Sequence, residues 1–66
     1  MANWTGEPPE KCDLCEEQLE ETFIDGVVQG RGWAVMCPRC HKEKGIGLGM
    51  GCGQQFDART GVKLAG

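Results

Sequence analysis

Four cysteines, spaced as Cys12-Asp-Leu-Cys15 and Cys37-Pro-Arg-Cys40, constrain this chain more than anything else in it. Two residues between thiols let the backbone make a tight turn whose N–H groups point at sulfur, and two such turns supply the four ligands of a tetrahedral metal. The 21 residues between the pairs are enough for a hairpin that carries the second pair back to the first. A chain of 66 residues buries too little apolar surface to offset its conformational entropy without a disulfide, a metal or a partner. The spacing therefore predicts a structural zinc ion as cofactor, held by Cys12, Cys15, Cys37 and Cys40. With all four positions taken by protein, that metal has no open site at which to activate water.

The N-terminal stretch MANWTGEPPE has neither the basic region nor the apolar core of an export signal. The expected setting is the reducing cytoplasm, where such pairs bind metal or do redox chemistry more often than they form disulfides. Cys37-Pro-Arg-Cys40-His41 also spells the C-x-x-C-H of covalent haem attachment, but that chemistry follows export and would leave Cys12 and Cys15 without a role. A thioredoxin-like dithiol needs a longer strand-and-helix framework than this chain can hold. His41 reads as a solvated histidine or one just outside the ligand set, and the fifth cysteine, Cys52, as a small buried hydrophobe.

Along the chain, residues 1–10 carry Gly6, Pro8 and Pro9 and are expected as a flexible arm, with Trp4 able to fold back. Glu16 to Glu21 fit a short helical turn. Thr22 to Val28 and Trp33 to Met36 have the β-branched and aromatic content of two strands joined by a turn at Gln29-Gly30-Arg31-Gly32. Pro38 suits a first helical position and Gly45 a C-cap, which predicts a helix over 39–44. Knuckle, β-hairpin and short helix are the order of a treble-clef zinc finger, a small metal-stabilised α+β fold; a zinc ribbon is the close alternative. One zinc-finger domain is expected over 11–58, including a glycine-rich segment at 45–53, with 59–66 as a C-terminal tail whose residues 62–64 form a terminal strand or fray.

In Gly45-Ile46-Gly47-Leu48-Gly49-Met50-Gly51-Cys52-Gly53, glycine alternates with apolar residues. Neither phosphate-binding glycine pattern fits. The period of two predicts an extended strand, with Ile46, Leu48 and Met50 pinned against Phe23, Val35 or Trp33 and the glycines presenting bare backbone outward.

Three phrases, Phe23-Ile24-Asp25-Gly26, Gly32-Trp33-Ala34-Val35-Met36-Cys37-Pro38-Arg39-Cys40-His41 and Gly45 to Phe56, together resemble a group of very small zinc-finger proteins encoded by bacteriophages and prophages. The resemblance covers residues 12–56 and implies a zinc-finger fold in a bacterial host cytoplasm, with no settled activity attached. The chain departs from the group at Cys52, where a basic residue is frequent, and at Phe56, where tyrosine is common. Both make that segment less polar and weaken a nucleic-acid role for it.

The net charge of -3 conceals a division. Residues 1–30 carry Lys11 against eight acids, whereas residues 31–66 carry six basic side chains against Glu43 and Asp57. A protein-interaction or adaptor module is expected, with Arg31, Trp33, Arg39, Lys42, Lys44, Gly47, Gly49 and Gly51 as candidate partner-binding residues. The alternative is a nucleic-acid-binding finger that uses the same cations on phosphates and Trp33 or Phe56 on bases. One histidine, no serine and no tyrosine argue against an enzyme, so no small-molecule substrate is expected. No apolar run reaches the roughly 18 residues of a membrane span, and no membrane partner is expected.

Overall fold

The computed structural model describes residues 3–49 and 51–66. Strand β1 (Thr22–Val28) turns back into β2 (Gly32–Met36), and helix α1 (Pro38–Lys44) follows directly. Strands β3 (Gly53–Asp57) and β4 (Lys63–Ala65) complete a four-stranded sheet in the order β2-β1-β3-β4. All three pairings are antiparallel.

The hairpin turn closes where Arg31 N–H donates to the Val28 carbonyl at 3.0 Å. Register then fixes the two faces of the sheet, because side chains alternate along a strand. Ile24 pairs with Met36 and Gly26 with Ala34, so Ile24, Val28, Ala34 and Met36 share the face on which α1 packs. Phe23 pairs with Phe56, and Val27 with Trp33, on the opposite face. The interior is built from Phe23, Ile24, Val28, Ala34, Met36 and Phe56 together with Cys12, Leu19 and Cys40.

Over Phe23 and Phe56 the opposite face is covered by the N-terminal segment. The Trp4 ring meets Phe23 edge-on at 5.0 Å and Phe56 at 5.4 Å, while Phe23 and Phe56 stack at 5.3 Å. The Trp4 amide donates to the Gly61 carbonyl at 2.7 Å, and the Lys63 amide to Asn3 Oδ1 at 3.2 Å. Residues 3–4 of the expected arm are therefore joined to the turn before β4 and to β4 itself. β4, which lies in the segment expected as a tail, is the fourth strand of the sheet.

Two local expectations fail. Residues 16–21 do not form a helical turn: Glu16 has φ 63 and Lys11 bridges Gln18, so the first cysteine pair sits on a tight β-type knuckle. Nor does the glycine-rich segment form a strand. Gly45 bridges Val28, Gly49 bridges Gly53, and Gly47, Gly49 and Gly51 have φ of 118, 118 and 79. Those values are open to glycine and strained for other residues, so the glycines serve to curl the chain into a loop. Ile46 and Leu48 are 49% and 41% exposed, not pinned into the core, and Met50 lies outside the described residues.

Candidate metal centre

The first cysteine pair owes its geometry to the knuckle. Cys12 N–H donates to the Glu17 carbonyl at 3.0 Å, Glu16 N–H to the Cys12 carbonyl at 2.9 Å, and Leu14 N–H to Cys12 Sγ at 3.4 Å. The second pair is placed by the end of β2 and the start of α1. Cys37 is the N-cap, its backbone extended at φ -74 and ψ 161, and its Sγ accepts from Cys40 N–H at 3.4 Å. Pro38, with no N–H to leave unpaired, occupies the first helical turn. Each pair thus directs an amide at a sulfur, an arrangement that favours thiolate.

The four Sγ atoms lie within 4.8 Å of one another. Cys15 Sγ and Cys37 Sγ are 3.8 Å apart. Metal–sulfur bonds of about 2.3 Å place the corners of a tetrahedron about 3.8 Å apart, so the separation suits ligands of one ion and is far too long for a disulfide. Cys12 and Cys40 are buried, and Cys15 and Cys37 half-buried.

The thiols are not equivalent. Burial raises the Cys12 thiol, but the amides of Cys15, Cys37 and Leu14 outweigh it and hold the group down at about 6. Burial pushes the Cys40 thiol well up, as do the neighbouring Cys37, Cys12 and Cys15. Four thiolates this close repel one another unless a cation sits among them. The donor set therefore fits a soft-ligand dication such as zinc.

Asp13 contributes a link that the cysteine spacing does not announce. Its amide donates to the Val35 carbonyl at 2.8 Å, and the Val35 amide donates to Asp13 Oδ2 at 3.0 Å. These two bonds fasten the first knuckle to the outer edge of β2, two residues before Cys37. A polar residue inside a C-x-x-C turn is the only sequence signal for it.

The candidate partner-binding residues do not form one patch. Arg39 sits in the first turn of α1 beside the thiols, with its guanidinium 3.0 Å from Glu17. Both side chains are more than half exposed, so the pair adds little stability, but the cation is already matched at the metal end. Arg31, Lys42, Lys44, Gly47, Gly49 and Gly51 gather at the other end. There Gln29 N–H donates to the Lys44 carbonyl at 3.2 Å, and Val27 N–H to the Cys52 carbonyl at 2.8 Å. Trp33, 58% exposed, lies near this tip but leaves from the sheet face opposite α1. His41 is outside the thiol cluster, with Nε2 2.9 Å from the Gly47 carbonyl.

A four-stranded antiparallel sheet, one short helix and a four-thiol cluster define a small α+β metal-binding module, consistent with a zinc finger. No protein-family model matches the chain, and comparison with curated proteins and with solved structures gives no match. Among the described residues no helix is long and apolar enough to cross a membrane.

Proposed function

We propose that this chain is a treble-clef zinc finger whose metal is structural and whose function is to bind a protein partner. Cys12 and Cys15 on a knuckle, a β-hairpin, and Cys37 and Cys40 at the start of a helix support that finger type over a zinc ribbon. Zinc bound by four thiolates has no position left for substrate. The groove beside the centre, about 430 Å³, is lined by Glu20, Glu21, Arg59 and Cys37 among others but holds no histidine, which favours a binding role over a catalytic one. The resemblance to small phage-encoded fingers is compatible with an adaptor acting inside a bacterial host.

The observation that carries this reading is the loop at 45–53. It displays Ile46 and Leu48 to solvent, yet it is held at both ends by the Val28–Gly45 and Gly49–Gly53 bridges. A fixed loop that exposes apolar side chains binds with little further loss of entropy. Arg31, Lys42 and Lys44 nearby suit a partner segment that carries carboxylates beside apolar groups. Aliphatic side chains on the loop, with Trp33 on the far face, favour protein over nucleic acid, which needs aromatic platforms beside its phosphate contacts.

Affinity capture from a bacterial lysate tests the reading, with wild-type protein compared with the Ile46→Ser/Leu48→Ser double variant, both shown to hold one zinc per chain. The expected result is a protein retained by the wild type after nuclease treatment and lost by the variant. Capture abolished by nuclease, or retained unchanged by the variant, overturns it.

A further inference from the structure

We infer that His41 is a positioning residue which ties the glycine-rich loop to the metal-bearing helix, so that the shape of the exposed loop follows the state of the metal centre. This rests on the loop being the partner surface proposed above only for its biological use; the coupling itself stands on geometry within the chain.

Helix α1 has seven residues, too few to persist in water unaided. Its first turn is fixed by Cys37 as cap and Cys40 as a buried thiol of the cluster, and His41 N–H donates to the Cys37 carbonyl at 3.0 Å. His41 therefore follows wherever the second cysteine pair is placed. Its side chain points the other way along the helix, to Gly47. A carbonyl oxygen can only accept, so Nε2 carries the proton and donates across the 2.9 Å separation. This bond grips the loop between its two anchored ends.

Packing gives the same result independently. Gly45 N–H donates to the His41 carbonyl at 2.9 Å. A Cβ added at Gly45 would collide with His41 Cδ2 and come within 2.8 Å of the His41 carbonyl oxygen. The chain turns out of α1 flat against the imidazole, and only glycine allows that approach. The ring is thus both the surface over which the loop departs and the donor that holds its middle. Removing it leaves the loop fastened at Gly45 and Gly49 and resting on Gly53 at Gly47, without the hydrogen bond that holds its middle. It leaves all four thiols in place.

Backbone 15N relaxation on the zinc-loaded, 15N-labelled protein tests this without any partner. In His41→Ala, zinc is expected to stay at one per chain and β1 and β3 to keep order parameters of about 0.85, while those of 46–48 fall below about 0.6. His41→Gln, which restores a donor, is expected to recover part of that order. Gly45→Ala, which displaces the ring without removing it, is expected to reproduce the loop-specific loss of order and decides the matter if His41→Ala fails to fold. Exchange of cadmium for zinc lengthens the metal–sulfur bonds; loop resonances should shift with the metal in the wild type and stay still in His41→Ala.

Unchanged loop order parameters in both His41→Ala and Gly45→Ala overturn the inference. So does a loop that responds to cadmium equally with and without the imidazole. If the loop loosens as expected but Ile46→Ser/Leu48→Ser captures the same proteins as the wild type, the partner reading fails and the coupling stands.

Discussion

Trp4→Ala should cost this protein about 3 kcal/mol without touching its metal. The indole makes two edge-to-face contacts, with Phe23 at 5.0 Å and Phe56 at 5.4 Å. Such pairs contribute about 0.5 to 1.5 kcal/mol each beyond the area they bury, so the two together account for about 2 kcal/mol. Truncation also uncovers the outer face of the Phe23–Phe56 stack, whose residues are 0% and 3% exposed. Full core Trp→Ala changes cost about 3 to 5 kcal/mol, and a half-buried indole belongs at the lower limit. The backbone bond from residue 4 to the Gly61 carbonyl survives the substitution, and the lost bond from Nε1 to the Glu7 carbonyl, 3.1 Å, is exposed. With an unfolding entropy of about 2.1 cal/mol/K per residue, a domain of this size loses about 20 °C of Tm for 3 kcal/mol. Thermal melts followed by circular dichroism in a zinc buffer check this, since free zinc must be equal for both proteins. Trp4→Phe should recover most of the loss, and both variants should hold one zinc. A Trp4→Ala melt within about 3 °C of wild type would refute the docking of the N-terminal segment and return it to a free arm.

Two further outcomes follow from the centre and the sheet. Cys37→Ser removes a ligand while its hydroxyl can still cap α1, so zinc should fall below stoichiometric and the dispersed amide spectrum should collapse, whereas Cys52→Ala should keep the metal; elemental analysis beside a 15N spectrum reads both. Asp25 is held above the usual carboxylate range first by burial and then by the Asp13 carboxylate. An acid raised on folding contributes nothing where both states are protonated, and its full cost is present only above its folded value. Asp25→Asn should therefore raise Tm at pH 7, and the gain should shrink as pH falls through the raised value toward the ordinary carboxylate range. A constant or reversed gain would refute that account of Asp25.

The centre was legible because its signal is local. Whether Cys37 can cap a helix and Cys40 return to its first turn depends on the two residues between them, and Pro38 makes the choice. The β1–β2 hairpin was legible for the same reason, with its turn at Gly30 between two β-rich runs. Other features depend on partners far along the chain. No spacing places Asn3 beside Lys63 or Trp4 beside Phe56; those contacts exist because β3 pairs with β1 and carries β4 with it. Glu16 to Glu21 read as helix on propensity, but the thiol turn before them imposes a positive φ at Glu16 and a bridge from Lys11 to Gln18. A tertiary constraint of that kind overrides a propensity of a few tenths of a kcal/mol per residue.

The glycine run shows how one pattern can serve two geometries. Alternating glycine and apolar residues gives a two-faced strand when every φ is negative, and a curled loop with its side chains outward when alternate φ values are positive. The pattern is the same in both, so the decision falls to the neighbouring strands. Beyond Gly26, where β3 stops pairing, the β1 edge is taken by the Cys52 carbonyl at Val27 and by Gly45 at Val28, on the two sides of the loop. With both its ends fixed on adjacent residues of one strand, the intervening segment cannot lie extended and has to bulge outward. The same closure brings Gly47 within reach of His41 and leaves Ile46 and Leu48 in solvent. A chain that had only to close this gap could use polar residues there. The choice of aliphatics over polar residues at 46 and 48 is the observation on which the proposed partner surface rests.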